Sequence, residues 1–273
     1  MIWLRRRSPA ACFRLFTPPL FPLFLIALTG CATVAPTSAP KPPVPQWESA
    51  KLIESLKQRN DQFRALRSLA QVDYAGPEGK HGFQEAVIVQ RPDRLRLDTL
   101  TFLGAILIFT ANDKEVIGYH PREGVFVRGR PTKENLRRYT QIPLELGEIT
   151  MMLMGLPPVD PNAAWKQEEN TLILASGGRK RDVLTFASHE PVPTKWERFS
   201  DDGKVELSAQ FNDYAATPAG LFPLSLALEA HGQKRKLNIR YKEPDLNGTI
   251  PPEQFTQQIP GHVKEVPIEA VGD

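Results

Sequence analysis

The sequence predicts a mainly β protein with a few helices: an antiparallel sheet of about ten or eleven strands with three helices, one of them N-terminal. From Ser68 onward, apolar and polar residues alternate in short runs separated by turn residues, which is typical of antiparallel strands with one buried face. Three other segments have apolar residues at helical spacing. Because the strands' apolar faces exceed what three helices would fill in a flat sandwich, we expect the sheet to curl into an apolar trough, with helices laid across it as a lid.

The first 31 residues resemble an export signal. Arg5–Arg7 precede the apolar run Leu15–Leu28, and Leu28–Cys31 closes it with small residues, as in a secretory signal. The run is shorter than the roughly 20 residues of a membrane-spanning helix. Since its end is similar to a bacterial lipobox, we expect residues 1–30 to be a lipoprotein signal peptide and Cys31 to be lipidated. The alternative is an ordinary signal with an incidental cysteine.

Removing that signal changes the charge balance. Without its four arginines, 30 of the 34 basic residues remain against 31 acidic ones, so the net charge falls from +3 to about −1. A chain of this charge gives no global argument for nucleic-acid binding. Cys12 leaves with the signal, so no disulfide is expected within the mature chain and the fold depends on its hydrophobic core.

Residues 31–46 predict a tether, because five prolines among small residues favour an extended chain of about 3.1 Å per residue. The next segment, Trp47–Leu69, has apolar residues at helical spacing with charges on its other faces, which predicts an amphipathic helix covering the sheet. Short strands separated by turn residues follow, among them Phe83–Gln90 and Arg94–Leu100. Alternation is clear at Val205–Phe211, Leu224–Leu228 and Leu237–Tyr241.

Two short helices are expected midway through the sheet. Thr132–Arg138 begins at a plausible N-cap, Thr132, and Leu144–Met154 ends before Gly155. The second helix has an apolar stripe of Leu146, Ile149, Met152 and Leu153. The main domain is expected over residues 47–247, followed by an irregular, proline-bearing tail at 248–273 that Phe255 pins to the body.

No pattern in the chain indicates an enzyme or a bound cofactor. The histidines are scattered without metal-ligand spacing, and phosphate-binding, dinucleotide-binding and nucleophile-elbow motifs are absent from the sequence. Two basic groups, Arg179–Arg181 and Lys234–Lys236, lie at predicted hairpin turns. They either contact anionic headgroups or protect sheet edges.

Several short motifs resemble the LolB family of outer-membrane lipoprotein receptors. Leu97–Gly104 before an apolar strand resembles that family's strand and short loop, in which an exposed Leu precedes a Gly. Ile142–Leu144 and Met151–Pro157 resemble its helix-turn-helix insert. The likeness runs from about Cys31 to Tyr241. Thr101-Phe102 replaces the Asn-Pro that is usual before the Leu.

The resemblance implies a half-open antiparallel β-barrel of about eleven strands with a helical lid over an apolar cavity, in a monomer on the periplasmic face of the outer membrane. It implies receipt of acylated lipoproteins from a LolA-like periplasmic carrier and their insertion among outer-membrane lipids, without nucleic acid, metal or cofactor. The alternative is a lipid-binding or structural envelope lipoprotein with the same fold.

The implied sites follow from the same resemblance. The membrane-insertion loop would be Phe102, Leu103 and Gly104, although Leu103 could instead be a buried hairpin residue. The lid would present Leu146, Ile149, Met152 and Leu153. The cavity lining would be Val72, Val87, Val89, Leu95, Leu97, Leu107 and Phe109.

Overall fold

A computed structural model describes residues 46–261 and 263–270. The expected signal peptide, Cys31 and all but the last residue of the tether therefore lie outside the described residues. The described residues form one compact unit with its own hydrophobic core.

The described residues form fourteen strands and three α-helices. The helices are α1 (Ser49–Gln62), α2 (Lys133–Thr140) and α3 (Leu146–Leu153). The strands of the first half are β1 (Ala65–Gly76), β2 (Gly79–Gln90), β3 (Arg94–Thr101), β4 (Gly104–Ala111), β5 (Val116–His120) and β6 (Val125–Gly129). Those of the second half are β7 (Lys166–Glu168), β8 (Thr171–Ser176), β9 (Arg179–Phe186), β10 (Pro193–Phe199), β11 (Val205–Thr217), β12 (Gly220–Ala230), β13 (Arg235–Leu246) and β14 (Lys264–Pro267).

All fourteen strands belong to a single sheet that is not closed. Its order is β14-β6-β5-β4-β3-β2-β1-β13-β12-β11-β10-β9-β8-β7. Each half is an antiparallel meander, and antiparallel pairing of β1 with β13 joins the two halves. Only β14 pairs parallel to its neighbour, β6. The expectation of a mainly β, antiparallel protein with a few helices is confirmed, and the expected count of about eleven strands is too low.

The missed strands are short and polar. β7 reads Lys-Gln-Glu, and β14 reads Lys-Glu-Val-Pro, so neither shows the alternation that marks a half-buried strand. Both occupy the outer edges of the sheet, where charges and proline discourage pairing with another chain.

The first helix is shorter than its sequence pattern predicted. It ends at Gln62, because Phe63 takes an extended conformation and β1 begins at Ala65. Phe63 and Leu66 are buried as expected, but Leu66 is buried as part of a strand. A spacing of three residues fits one face of a helix and does not by itself exclude an irregular turn into a strand.

α1 packs on the face of the sheet that carries the main core, here called the inner face. Leu52 and Leu56 are buried there. The buried Arg59 donates to the carbonyl oxygens of Leu221 (2.6 Å) and Gly155 (3.2 Å) and lies over the Phe63 ring. These contacts tie α1 to β12 and to the end of α3, and burial lowers the pKa of this guanidinium.

The two predicted mid-chain helices are present. The hydroxyl oxygen of Thr132 accepts a hydrogen bond from the Asn135 amide (3.2 Å), so its expected role as the N-cap of α2 is confirmed. α3 begins with a capping box between Glu145 and Glu148. Gly155, with φ of 68°, follows its C-terminus in the left-handed conformation that favours glycine.

The C-terminal tail crosses the opposite face of the sheet, here called the outer face. Phe255 is buried there in a small second core with Ala65, Ile88 and Ile250. Ile88 points outward because its neighbours Val87 and Val89 lie in the main core. The tail was expected to be irregular, but it contains two short 3-10 helices, Pro252–Phe255 and Ile268–Ala270, as well as β14.

Substitution of Phe255 tests how much the packing of the C-terminal tail on the outer face contributes to stability. We expect Phe255→Ala to lower the free energy of unfolding by about 3 kcal/mol, because it removes the ring that fills the outer cluster. Urea denaturation measures the change. Ile259→Ala, a partly exposed position in the same tail, provides the control and should stay within about 1 kcal/mol of the wild type. Equal losses for both variants would contradict this assignment.

Candidate functional site

A cavity of about 520 Å³ lies between the inner face and helices α2 and α3. Its volume falls within the range of small-molecule sites, roughly 300–1,000 Å³. Its apolar lining comprises Phe83, Val87, Leu97, Ile106, Leu107, Phe109, Ile142, Leu144, Ile149, Met152, Leu153, Leu228, Leu237 and Ile239. Its polar lining comprises Tyr74, Glu78, His81, Glu85, Thr99, His120, Glu123, Tyr139, Thr140 and Gln141.

The structure brings together part of the lining predicted from sequence. Val87, Leu97, Leu107 and Phe109 line the cavity, together with three residues of the expected lid: Ile149, Met152 and Leu153. Val72, Val89 and Leu95 are fully buried in the main core, outside the cavity wall, and Leu146 is buried beside them.

Sequence reasoning missed the polar part of the lining and the contribution of the second half of the sheet. The residues of β2 that face inward are His81, Phe83, Glu85, Val87 and Val89, and this alternation already places Glu85 on the apolar side of its strand. Leu228, Leu237 and Ile239 could not be placed beside β2, because the pairing of β1 with β13 spans most of the chain.

The cavity mouth is formed by hairpin ends. Successive antiparallel strands place the β1–β2, β3–β4, β5–β6 and β12–β13 turns at one end of the sheet. The lining residues nearest these turns are Tyr74, Glu78, His81, His120 and Glu123, which we call the mouth. The Glu123 side chain is 72% exposed, so the cavity opens to solvent at this end.

The β3–β4 turn projects two apolar side chains into solvent beside the mouth. Thr101 pairs with Gly104, leaving Phe102 and Leu103 as a two-residue loop. Phe102 is 96% exposed and Leu103 71% exposed, which contradicts the alternative of Leu103 as a buried hairpin residue. Gly104 has φ of 104°, a conformation that L side chains rarely adopt.

Hydrogen bonds hold this turn in place. The Thr101 hydroxyl donates to the carbonyl oxygen of Gly104 (3.0 Å) and accepts from the Leu103 amide (3.3 Å). The Arg122 guanidinium, from the β5–β6 turn, also donates to this hydroxyl (3.0 Å). The exposed pair is therefore presented on a fixed hairpin rather than on a long loop.

The basic groups noted in the sequence lie at turns of the same end. Lys180 follows the β8–β9 turn, and Lys234 lies in the β12–β13 turn. Arg235 binds residues of the mouth: it donates to the Tyr74 hydroxyl (3.1 Å), which in turn donates to Glu78. Lys236 pairs with Glu229 at 2.9 Å.

Glu85 is the one carboxyl group in the described lining that lies inside the cavity rather than at its mouth. It belongs to a cross-strand row on the inner face that runs Tyr241, Ala70, Glu85, Thr99, Leu107. The Thr99 hydroxyl donates to one of its oxygens (3.1 Å). Burial raises the pKa of this carboxyl to about 7, the Thr99 hydrogen bond opposes the shift, and the charge of Asp98 adds to it.

α3 is attached to the sheet by polar contacts at three points. The Thr150 hydroxyl donates to the carbonyl oxygen of Pro92 (2.6 Å), and the buried Tyr241 hydroxyl donates to that of Leu153 (2.9 Å). The guanidinium of Arg198 donates to Glu148 (2.6 Å).

Arg198 also neutralises a buried acid. It donates to Asp182 at 3.2 Å, stacks on the Trp196 ring, and reaches the Pro158 carbonyl at 3.1 Å. The Trp196 ring nitrogen donates to the same carboxylate (2.9 Å). This network fixes the position of α3 over the cavity.

Tyr139 brings α2 against the cavity. Its ring packs on Phe109, with centroids 5.1 Å apart, and its hydroxyl is buried without a hydrogen-bond partner among the described residues. Burial raises the pKa of Tyr139 to about 12. A Cβ on Gly118 would collide with the Tyr139 hydroxyl, so this close approach requires a glycine in β5.

Solved structures share this fold. A domain from Vibrio parahaemolyticus, proposed to take part in outer-membrane lipoprotein sorting, aligns with a TM-score of 0.53 at 9% identity, covering 76% of this chain and 97% of that domain. A DUF1329 family protein from Desulfovibrio piger aligns at 0.54 and 8% identity, covering 76% and 95%. The chain has the fold of these proteins.

A third structure is less similar. A LolA superfamily protein from Nitrosomonas europaea aligns at 0.48 and 11% identity, covering 75% of this chain and 97% of that one, and a TM-score this low supports no argument. No family model matches the chain. No curated protein matches it significantly.

Neither a metal-binding cluster nor a membrane-spanning helix occurs among the described residues. Over residues 46–261 and 263–270, no cluster of histidine, cysteine and acidic side chains could hold a metal ion. Within the same ranges, no helix has the length and apolar character needed to cross a membrane.

Removing the Glu85 charge should stabilise the empty protein in a pH-dependent way. Because the folded-state pKa of about 7 lies above the usual value of 4.5, folding binds a proton between these pH values, and stability falls as pH rises through them. At about 1.4 kcal/mol per pKa unit, Glu85→Gln should be up to about 3 kcal/mol more stable than the wild type at pH 8. Urea denaturation at pH 5 and pH 8 measures the difference.

Glu123→Gln is the matched control, because it removes a carboxylate from the exposed mouth. It should change stability by no more than about 0.5 kcal/mol. A Glu85→Gln protein that is less stable than the wild type at pH 8 would show that the carboxylate makes a favourable contact in the fold.

Arg198 should be required for α3 to stay in place. Arg198→Met removes the nearer cation of the buried Asp182, at 3.2 Å, and leaves only the largely exposed Arg181 at 3.6 Å. We expect a loss of about 3 kcal/mol in the free energy of unfolding. Lys195→Met on the same strand breaks only a partly exposed pair with Glu197 and should cost about 1 kcal/mol or less. Chemical denaturation compares the two, and similar losses would mean that the Arg198 network is not structural.

Proposed function

We propose that this protein is a lipoprotein of the outer membrane that receives acylated lipoproteins into the cavity and helps to insert them into that membrane. It is anchored through Cys31 and held off the bilayer by the tether. The proposal is supported by the fold, by an apolar cavity open at one end, and by an exposed apolar turn at that same end.

The pair Phe102–Leu103 carries the proposal. Two neighbouring large apolar side chains exposed to this degree are costly on a soluble surface, and such exposure marks contact with a membrane or another apolar partner. Lys180 and Lys234 at the same end suit the anionic lipids of that surface, at about 1 kcal/mol for each basic residue near it.

The driving force for uptake is the hydrophobic effect. Acyl chains entering the cavity leave water at about 0.8 kcal/mol per buried methylene, so they pass readily only between apolar sites. A LolA-like periplasmic carrier is the donor, this cavity is the second site, and the bilayer is the last. No nucleotide or metal enters this scheme.

Delivery should depend on the apolar turn while uptake should not. The test incubates the full lipidated chain, in phosphatidylethanolamine–phosphatidylglycerol vesicles, with a carrier loaded with an acylated lipoprotein. Leu103→Glu should accept cargo from the carrier normally, but vesicle-inserted cargo should fall roughly tenfold or more, because a carboxylate resists entry into the bilayer. Vesicle flotation followed by protease protection measures insertion.

Ile259→Glu is the matched control, since it places the same charge at an apolar position on the C-terminal tail. It should deliver cargo like the wild type. Normal delivery by Leu103→Glu would remove the assigned role of the turn. Failure of the wild type to take cargo from the carrier, with a phospholipid bound instead, would favour a lipid-binding envelope protein.

A further inference from the structure

The interior carboxyl group of Glu85 has no cation to balance it. The mouth and edge acids Glu78, Glu229 and Glu265 each have a basic partner within 4 Å, but among the described residues no lysine, arginine or histidine pairs with Glu85. Its only recorded hydrogen bond is the one from Thr99, a single neutral donor. A carboxylate can accept about four hydrogen bonds, so most of its capacity is unused.

The depth of Glu85 in the cavity determines which part of a bound amphiphile would lie beside it. Glu85 lies four residues in from His81 at the mouth, about 13 Å along the strand. Deeper on the same face, Val87 and its neighbours Leu97 and Phe109 form a wholly apolar row. An amphiphile with its tail in this deep row would place the atoms at the head of its chain beside Glu85.

We infer that Glu85 is a specificity residue, which selects amphiphiles with an N–H donor at the head of the acyl chain and rejects amphiphiles with a carboxylate there. This rests on the proposed uptake of acyl chains by the cavity. The N–H group is either the amide of an N-acylated protein terminus or the ammonium of an aminolipid headgroup. Either one supplies the missing donor, whereas a second carboxylate brings a like charge into a site of low dielectric.

The groups around Glu85 in the described residues do not offset its negative charge. From β13, the Tyr241 hydroxyl is already committed to Leu153. From β3, Thr99 donates and Asp98, whose carboxylate pairs with Arg96, adds negative charge. The facing helix α3 presents Ile149, Met152 and Leu153 to the cavity. His81, nearer the mouth on the same strand, and His120 and Tyr139 on other elements also line the cavity. Among the described residues, none of the three forms a hydrogen bond or ion pair with Glu85.

The test measures binding of three matched probes to residues 43–273, which contain every residue of the cavity lining. The probes are dodecylammonium, N-dodecylacetamide and dodecanoate, each used below its critical micelle concentration, and isothermal titration calorimetry at pH 8 measures affinity. The wild type should bind dodecylammonium at least about tenfold more tightly than dodecanoate, a difference of about 1.4 kcal/mol. N-dodecylacetamide should lie between them.

Glu85→Gln keeps the shape of the side chain and removes its charge. The preference for dodecylammonium over dodecanoate should disappear in this variant, mainly through tighter binding of dodecanoate. In the wild type the preference should shrink from pH 8 to pH 6 as the carboxyl gains its proton, and in Glu85→Gln it should not. His81 and His120 are present in both proteins, so any contribution they make to the pH dependence of the preference remains in Glu85→Gln.

Glu206→Gln removes a carboxylate from an exposed position on β11 outside the cavity lining. It is the control for the general loss of a negative charge, and it should keep the wild-type preference. The amide probe separates the two ligand sources: weaker binding of the amide to Glu85→Gln points to an N-acylated protein terminus, and an effect on the ammonium alone points to an aminolipid.

The inference is overturned if the wild type binds dodecanoate as tightly as dodecylammonium, or if Glu206→Gln loses the preference as fully as Glu85→Gln does. If either outcome occurs while all three probes bind, the cavity still accepts acyl chains and the proposed function stands. If no probe binds, both the inference and the uptake of acyl chains fail.

Discussion

The inner face of the sheet is larger than the helices can cover, and the other features of the molecule depend on this mismatch. Fourteen strands in one open layer present an apolar face across most of their width, while α2 and α3 have eight residues each. An uncovered apolar face in water is unfavourable in proportion to its area. Part of the face is therefore closed by α1 and the main core, and the rest encloses the cavity.

The polar groups that lie between the helices and the sheet divide into two kinds. Arg59 and Arg198 lie under helices and are matched by carbonyl or carboxylate oxygens, so they fix α1 and α3 on the sheet. Glu85 faces the cavity with a single donor. Because a carboxylate shielded from water without a balancing cation costs stability, Glu85 opposes folding, whereas the two arginines favour it.

Alternation of apolar and polar residues, together with turn residues, was enough to predict most of the strands. These patterns also predicted that the sheet has one apolar and one polar face, because each long strand buries one face. They failed where the signal is weak, as in the polar edge strands β7 and β14, and where Phe63 leaves the helical path. The exposure of Leu103 was expected only from the family resemblance, and a buried hairpin residue was the alternative until the structure excluded it. The far wall of the cavity could not, because the pairing of β1 with β13 depends on contacts between distant parts of the chain.

The mouth and the apolar turn lie at the same end for a topological reason. In an antiparallel meander every second turn falls at one end, so the β3–β4 turn must lie beside the β1–β2 and β5–β6 turns that frame the mouth. In the proposed function, an acyl chain leaving the cavity there would pass next to Phe102 and Leu103 rather than through open water. Since a barrier to transfer comes from exposed methylenes, placing the apolar turn at the exit lowers that barrier without any input of chemical energy.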